Sequence, residues 1–426
     1  MQKQRTAART PALKNARHRA APRSLKPSKP QPLFPIVGVG ASAGGLDAFR
    51  QLLPPLSAEP GVALVLVPHL EPHHQSHLAE LLARVTPMPI AEVTDGMRVE
   101  PNRVYVLPPA FFIAIEDGVL RLTPRATKRL PIDSFLRSLG ASHRERAVGV
   151  VLSGTGTDGT LGLEAVRAAG GLTFAQEPSS AVHDGMPRSA IAAGAVDFVL
   201  PVEGIARELV RLGQRHPVSP GRLVAGPAAA GDADSDSWRK ILLLLDRATG
   251  TDFSLYKRAT LARRIARRMS ALGIDTLDRY VQRLENEPGE AKVLHQEFLI
   301  SVTSFFRDPA TAQIVCEKVF EALGAKRSPA APVRIWLAGC ATGEEVYSLA
   351  ICLLEGAEKL PSRPPFQIFA TDISESIVAR ARSGTYMESI SEQVSEQRLA
   401  RFSPGWRVTI RSTRPCASSA SSPATT

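Results

Sequence analysis

A serine between two glycines, Gly40-Ala41-Ser42-Ala43-Gly44, is the first place in this 426-residue sequence where chemistry can be read. G-x-S-x-G at a strand-to-helix junction is a sharp turn that needs small neighbours and lifts the serine hydroxyl to the top of a sheet. The amides of the following helix favour a developing oxyanion. Such a hydroxyl needs a base, and His69 closes the next apolar run in Val67-Pro68-His69. A lone histidine is more often a structural one; its position at the end of the strand beside the serine's strand selects it as general base. Asp158 lies in Gly154-Thr155-Gly156-Thr157-Asp158-Gly159, just past a third apolar run at 147–152. It can hold the imidazole in the right tautomer; its plainer role is to cap the helix starting near Leu161. The chain order is Ser–His–Asp, whereas α/β-hydrolases run Ser–Asp–His, so a different fold carries the same constellation.

Three other chemistries compete for these residues. Gly38-Val39-Gly40-Ala41-Ser42-Ala43 also fits the dinucleotide fingerprint G-x-G-x-x-G/A, but His69 stands where the ribose-binding acid belongs. The loop at 154–159 lacks the lysine of a phosphate-binding loop. His69, His73 and His77 are spaced by four, yet Pro72 interrupts them and no glutamate takes the general-base place of a zinc helix. No metal is expected, and His73, His74 and His77 are read as a solvated loop and helix start.

The elements that must position the three residues follow from periodicity. Short apolar runs at 34–39, 62–67, 147–152, 172–175 and 195–200 read as strands buried on both faces. Between them, 44–53, 78–85 and 161–169 have helical spacing. Residues 104–106 and 111–122 read as antiparallel, with Asp117-Gly118 at the turn of the latter. Strands alternating with helices imply an α/β fold, a doubly wound, mostly parallel sheet with its site at the carboxyl ends of the strands.

Past a Pro-, Gly- and Ala-rich linker at 216–236, residues 238–287 read as helical throughout. There Arg263, Arg264, Arg267 and Arg268 recur at three-to-four spacing beside an apolar stripe of Leu261, Ile265 and Met269. Such a helix suits an acidic protein surface or nucleic acid, or stays a solvated basic face. Residues 334–347 read as strand, glycine-bearing turn and helix, and the strand at 366–371 is closed by Asp372, where an acid suits the ribose of a nucleoside cofactor.

The motifs at 37–45, 68–70, 154–159 and 185–187 resemble the protein-glutamate methylesterases of bacterial chemotaxis, the CheB type, over about residues 33–210. The resemblance implies Ser42, His69 and Asp158 as the triad, the backbone amides of Ala43 and Thr155 as the oxyanion hole, and hydrolysis of glutamate methyl esters on receptors, with glutamine deamidation as a side activity. It implies no cofactor. The second half resembles CheR-type receptor methyltransferases over about 238–402. That implies S-adenosylmethionine as methyl donor, with Thr303, Arg307, Ala338, Glu344 and Asp372 as its contacts and the arginine helix as the receptor-facing surface. The expected organisation is a basic tail (1–32), the esterase domain (33–215), the linker, a small all-α domain (237–300), a partial Rossmann-like methyltransferase domain (301–406) and an irregular tail (407–426). The last reads as a truncation or frameshift, on which methyl transfer is expected to fail.

Composition bounds these readings. Residues 1–30 hold nine Lys or Arg and no acid, which leaves about +2 of the net charge of +11 for the rest. Nucleic acid is therefore not an expected partner, and the tail is expected to be solvated. No run reaches the roughly 18 apolar residues of a membrane span. Four cysteines, Cys316, Cys340, Cys352 and Cys416, fit no zinc or redox spacing, which points to a reducing cytoplasm. The expected partners are methyl-accepting receptors, with signalling kinases or receiver proteins beside them; the alternative function is a non-catalytic scaffold gripping receptors through the arginine helix.

Overall fold

The structure, a computed structural model, describes residues 34–69, 77–125, 130–214, 232–299, 303–323, 332–359, 365–386, 390–391 and 393–402. The basic tail, His73, His74, most of the linker and the 407–426 tail lie outside the described residues.

Seven strands form one parallel sheet: β1 (Ile36–Ala41), β2 (Ala63–Pro68), β3 (Ile90–Glu92), β4 (Val104–Val106), β7 (Ala147–Val151), β8 (Leu172–Gln176) and β9 (Phe198–Leu200), in the order β3-β4-β2-β1-β7-β8-β9. Every residue of β1, β2 and β7 is buried, as continuous apolar runs require when both faces are covered. Side chains alternate between the two faces. Val37, Val39, Leu64 and Leu66 meet α1 (Gly45–Leu52), α2 (Leu78–Ala83) and α6 (Val202–Gln214). Ile36, Val65, Val67 and Val151 meet α3 (Pro131–His143), α4 (Thr160–Ala169) and α5 (Gly185–Ala192). Helix α3 lies so close to β1 that a methyl at Gly40 would stand 2.2 Å from Ile132 Cγ2, which is why this strand alternates valine with glycine.

Two expectations are corrected. Residues 104–106 are not antiparallel to the hairpin: β4 pairs in parallel with β2 and β3, and the hairpin is β5 (Phe111–Glu116) with β6 (Val119–Pro124), turning at Asp117-Gly118. Three residues are too few to reveal a pairing direction. Residues 232–236, assigned to the linker, open the helix α7 (Asp232–Thr249).

Helix α7 packs with α8 (Arg258–Leu272), α9 (Leu277–Asn286) and α10 (Pro288–Phe298) around Ile241, Phe253, Ile265, Tyr280 and Leu294. The remaining region comprises α11 (Pro309–Leu323), β10 (Val333–Ala338), α12 (Glu344–Ala357), β11 (Phe366–Thr371), α13 (Glu375–Ser383) and α14 (Glu396–Phe402), with β10 and β11 paired in parallel. On β10, Trp336 is 71 % exposed. No described helix is long and apolar enough to cross a membrane.

Candidate active site

Register brings the serine and the histidine together. Ala41, the last residue of β1, pairs with Pro68, the last of β2, so Ser42 and His69 are the next residues of two adjacent strands. The ladder continues one step, with the His69 amide donating to Ala41 O at 2.8 Å. On the other side of β1 runs β7, and the Ser42 amide donates to Ser153 O at 2.9 Å. A methyl at Gly154 would stand 2.9 Å from Ser42 Cβ, so glycine lets the loop after β7 press against the serine. The carboxyl ends of β2, β1 and β7 thus carry His69, Ser42 and, farther along the loop, Asp158.

Asp158 is buried, and α3 anchors it. Its Oδ1 accepts from the Asp133 amide at 2.9 Å and its Oδ2 from the Ile132 amide at 3.2 Å. These are free donors at a helix start, where a carboxylate is favoured. Asp158 therefore does not act as the N-cap of the helix after it; Gly159 occupies that position on α4. The amides of Ala43 and Thr155 have no hydrogen-bond partner among the described residues, and Thr155 is exposed.

Sequence reasoning missed three contributors. Buried Ser153 ties the site together: its Oγ donates to Ala43 O at 2.9 Å and accepts from the His183 amide at 3.0 Å. Gln176 Oε1 accepts from the Ser153 amide at 2.9 Å. Arg125, 5.5 Å above the Phe112 ring, is close enough to both candidates to couple to them electrostatically. Burial draws Arg125 below the usual arginine range while the Asp158 charge raises it. No local pattern announces these residues, whose partners lie tens of residues away.

His69 sits below the ordinary histidine value, first through lost hydration and then through the Arg125 charge. Its imidazole is therefore neutral, and able to accept a proton, across neutral pH. If His69 is the base, kcat/KM holds steady as pH falls to about 6.5 and drops only below that. Arg125→Gln removes a positive neighbour, so it moves the acid limb upward. A profile whose limb lies above pH 7, or is unmoved by Arg125→Gln, contradicts this.

The expected cofactor contacts gather at the start of α12. Ala338 ends β10, Glu344 opens α12 and Asp372 follows β11, whose Thr371 pairs with Ala338. Asp372 Oδ2 accepts from the Ala341 amide at 3.0 Å and its Oδ1 from the Ser374 amide at 3.1 Å. The stretch with Thr303 and Arg307 joins this group through the Phe306 amide, which donates to Ser348 Oγ on α12 at 2.9 Å. Helix α4 of the sheet domain also comes near: Glu164 is pushed up to about 7, chiefly by burial, with Arg380 opposing and Glu344 adding to the shift.

The four arginines of α8 do not form one outward face. Arg263 and Arg268 are partly accessible, and Arg268 grips Glu290 with two bonds of 2.8 and 2.7 Å. Arg264 and Arg267 are buried against the sheet domain. Their three-to-four spacing places them beside the apolar stripe, and so inside the contact. His77 precedes α2 and lies 3.3 Å from Glu80; among the described residues no three His, Cys, Asp or Glu side chains group as metal ligands.

A parallel α/β domain with serine, histidine and aspartate at the ends of adjacent strands, followed by a helical domain and a second α/β unit, is thus the class of molecule. Family models then match all three parts: CheB methylesterase over residues 37–209, the all-alpha domain of CheR methyltransferase over 236–299, and the CheR SAM-binding domain over 301–410. The chain carries a CheB methylesterase domain and both CheR methyltransferase domains. It is 39 % identical over 355 residues to an uncharacterized 104.1 kDa protein in the hypE 3' region of Rhodobacter capsulatus, covering 78 % of this chain and 37 % of that protein. It is 36 % identical over 194 residues to protein-glutamate methylesterase/protein-glutamine glutaminase 3 of Myxococcus xanthus, covering 45 % of this chain and 55 % of that one. The chain thus spans roughly a third to a little over half of these relatives. The crystal structure of the Thermotoga maritima CheB methylesterase catalytic domain aligns at 28 % identity and a TM-score of 0.40, over 42 % of this chain and 98 % of that domain.

Proposed function

We propose that the sheet domain hydrolyses γ-glutamyl methyl esters on chemotaxis-type receptors by a Ser-His-Asp triad. The observation that carries this reading is the register of β1 and β2, which makes Ser42 and His69 neighbours at the strand ends. His69 takes the Ser42 Oγ proton as the oxygen attacks the ester carbonyl. The amides of Ala43 and Thr155 stabilise the tetrahedral oxyanion. Collapse releases methoxide, which leaves as methanol with the proton from His69, and a glutamyl ester remains on Ser42. Water, deprotonated by His69, then attacks that ester, freeing the glutamate and returning the proton to Ser42. Asp158 orients the imidazole and stabilises its cation. The same cycle on glutamine releases ammonia in place of methanol.

The SAM-binding region is read as holding its cofactor through Thr303, Arg307, Ala338, Glu344 and Asp372. The carboxylates of Glu344 and Asp372 suit a nucleoside carrying a sulfonium, and a methyl at Gly339 would meet nothing within 4 Å, leaving room beside the strand end. S-adenosylmethionine supplies an activated methyl group there. The test of the main reading is methanol release from a receptor fragment bearing methylated glutamates: the purified chain releases methanol and a Ser42→Ala chain does not. Equal release from both would overturn it.

A further inference from the structure

A cluster of buried charge lies between the sheet domain and the helical domain, away from the carboxyl ends of the strands. Arg264 and Arg267 of α8 are 9 % and 3 % exposed. Arg267 donates through Nη1 to Glu297 at 2.5 Å, through Nη2 to Asp197, and through Nε to Gly171 O at 2.9 Å. Arg167, on α4, donates to Glu297 at 2.6 Å. Three guanidiniums thus face two carboxylates. The third positive charge is answered by a helix end: Arg264 donates to Arg167 O at 2.9 Å and to Ala168 O at 3.0 Å, in the last turn of α4. Carbonyls at a helix carboxyl end carry partial negative charge and have acceptor capacity left over; Arg167 O also accepts from the Gly170 amide at 3.1 Å. Burial and the neighbouring Arg267 push Arg264 down to about 10, so it is still a cation at neutral pH.

We propose that the arginine face of α8 is a docking element for the chain's own sheet domain. Arg264 and Arg267 clamp the carboxyl end of α4 to the helical domain. While the clamp is closed, these two side chains are not available to an outside acidic partner. The partner chemistry is complementary: two carboxylates, the carbonyl of Gly171 and two carbonyls in the last turn of α4. The clamp also has a line to the strand-end site, because α4 begins at Thr160, two residues past Asp158, and its far end is what the arginines hold.

Amide hydrogen exchange on the full chain tests this. Arg264→Gln is the first variant, since it strands no carboxylate and lets the α4 carbonyls turn to water; Arg267→Gln is the second. Exchange in the last turn of α4 and around Asp197 is expected to rise about tenfold in Arg264→Gln and further in Arg267→Gln, as loss of charge-assisted bonds implies. Polyglutamate, as a probe of free basic surface, is expected to bind wild type and Arg264→Gln equally. Unchanged exchange in Arg264→Gln would overturn the clamp. A tenfold loss of polyglutamate binding with that unchanged exchange would assign the arginine to an outside acidic surface instead.

Discussion

Ser42→Ala is expected to lower methanol release by about 10⁵–10⁶-fold, because removing the nucleophile of a triad disables the remaining members with it. The fold is expected to survive. The Ser42 side chain makes no hydrogen bond among the described residues, while the backbone turn is held by the hydrogen bond that the Ser42 amide donates to Ser153 O and by the one that the Ser153 hydroxyl donates to Ala43 O. Losing one such oxygen belongs with changes worth about 0.5 kcal/mol or less. Methanol release and thermal unfolding measured on the same preparation separate the two effects. A residual rate within tenfold of wild type would mean that another group attacks the ester.

The second large effect is that of Asp158→Asn. If Asp158 accepts the His69 imidazole N–H, asparagine can turn an NH₂ toward the ring in place of an acceptor, so the ring loses its preferred tautomer; about 10³–10⁴-fold in kcat is expected. Here the substitution has a second consequence. Both carboxylate oxygens already accept amides from the start of α3, at 2.9 and 3.2 Å, and asparagine offers only one oxygen to the two donors. One buried N–H then faces an NH₂ group, which costs about 1–3 kcal/mol. Catalysis and stability are therefore expected to fall together. A lowered melting temperature with a near wild-type rate would leave Asp158 as an anchor for α3 and nothing more.

The two residues differ in how far their surroundings could be read beforehand. Strands β1, β2 and β7 were visible because strands covered on both faces are continuous apolar runs, and Ser42 and His69 follow directly from where two of those runs end. Helix α3 was also within reach. Pro131 opens it, and Ile132, Phe135, Leu136 and Leu139 repeat at helical spacing. Its role at Asp158 was not, since a carboxylate bonded to amides 25 and 26 residues away leaves no local trace. The same holds for Ser153, whose hydroxyl reaches a carbonyl 110 residues back. Strands β3 and β4, of three residues each, are too short for periodicity to show direction. In α8 the spacing of the arginines showed which sides of the helix they occupy. It did not show that Arg264 ends against two helix carbonyls 96 and 97 residues earlier, or that Arg267 ends against Glu297 and Asp197, because acceptors of that kind belong to the tertiary fold.

The identity of the nucleophile is open to one direct measurement. A fluorophosphonate reacts covalently with a serine hydroxyl activated by a neighbouring base. After incubation with the full chain at pH 7.5, proteolysis and mass spectrometry are expected to find one adduct per chain, on the peptide carrying Ser42. Labelling should weaken as pH falls below about 6.5 and His69 takes up a proton. Methanol release should decline in proportion to the labelled fraction. A chain that is labelled elsewhere, or that keeps releasing methanol with Ser42 fully labelled, would contradict the assignment of Ser42 as nucleophile.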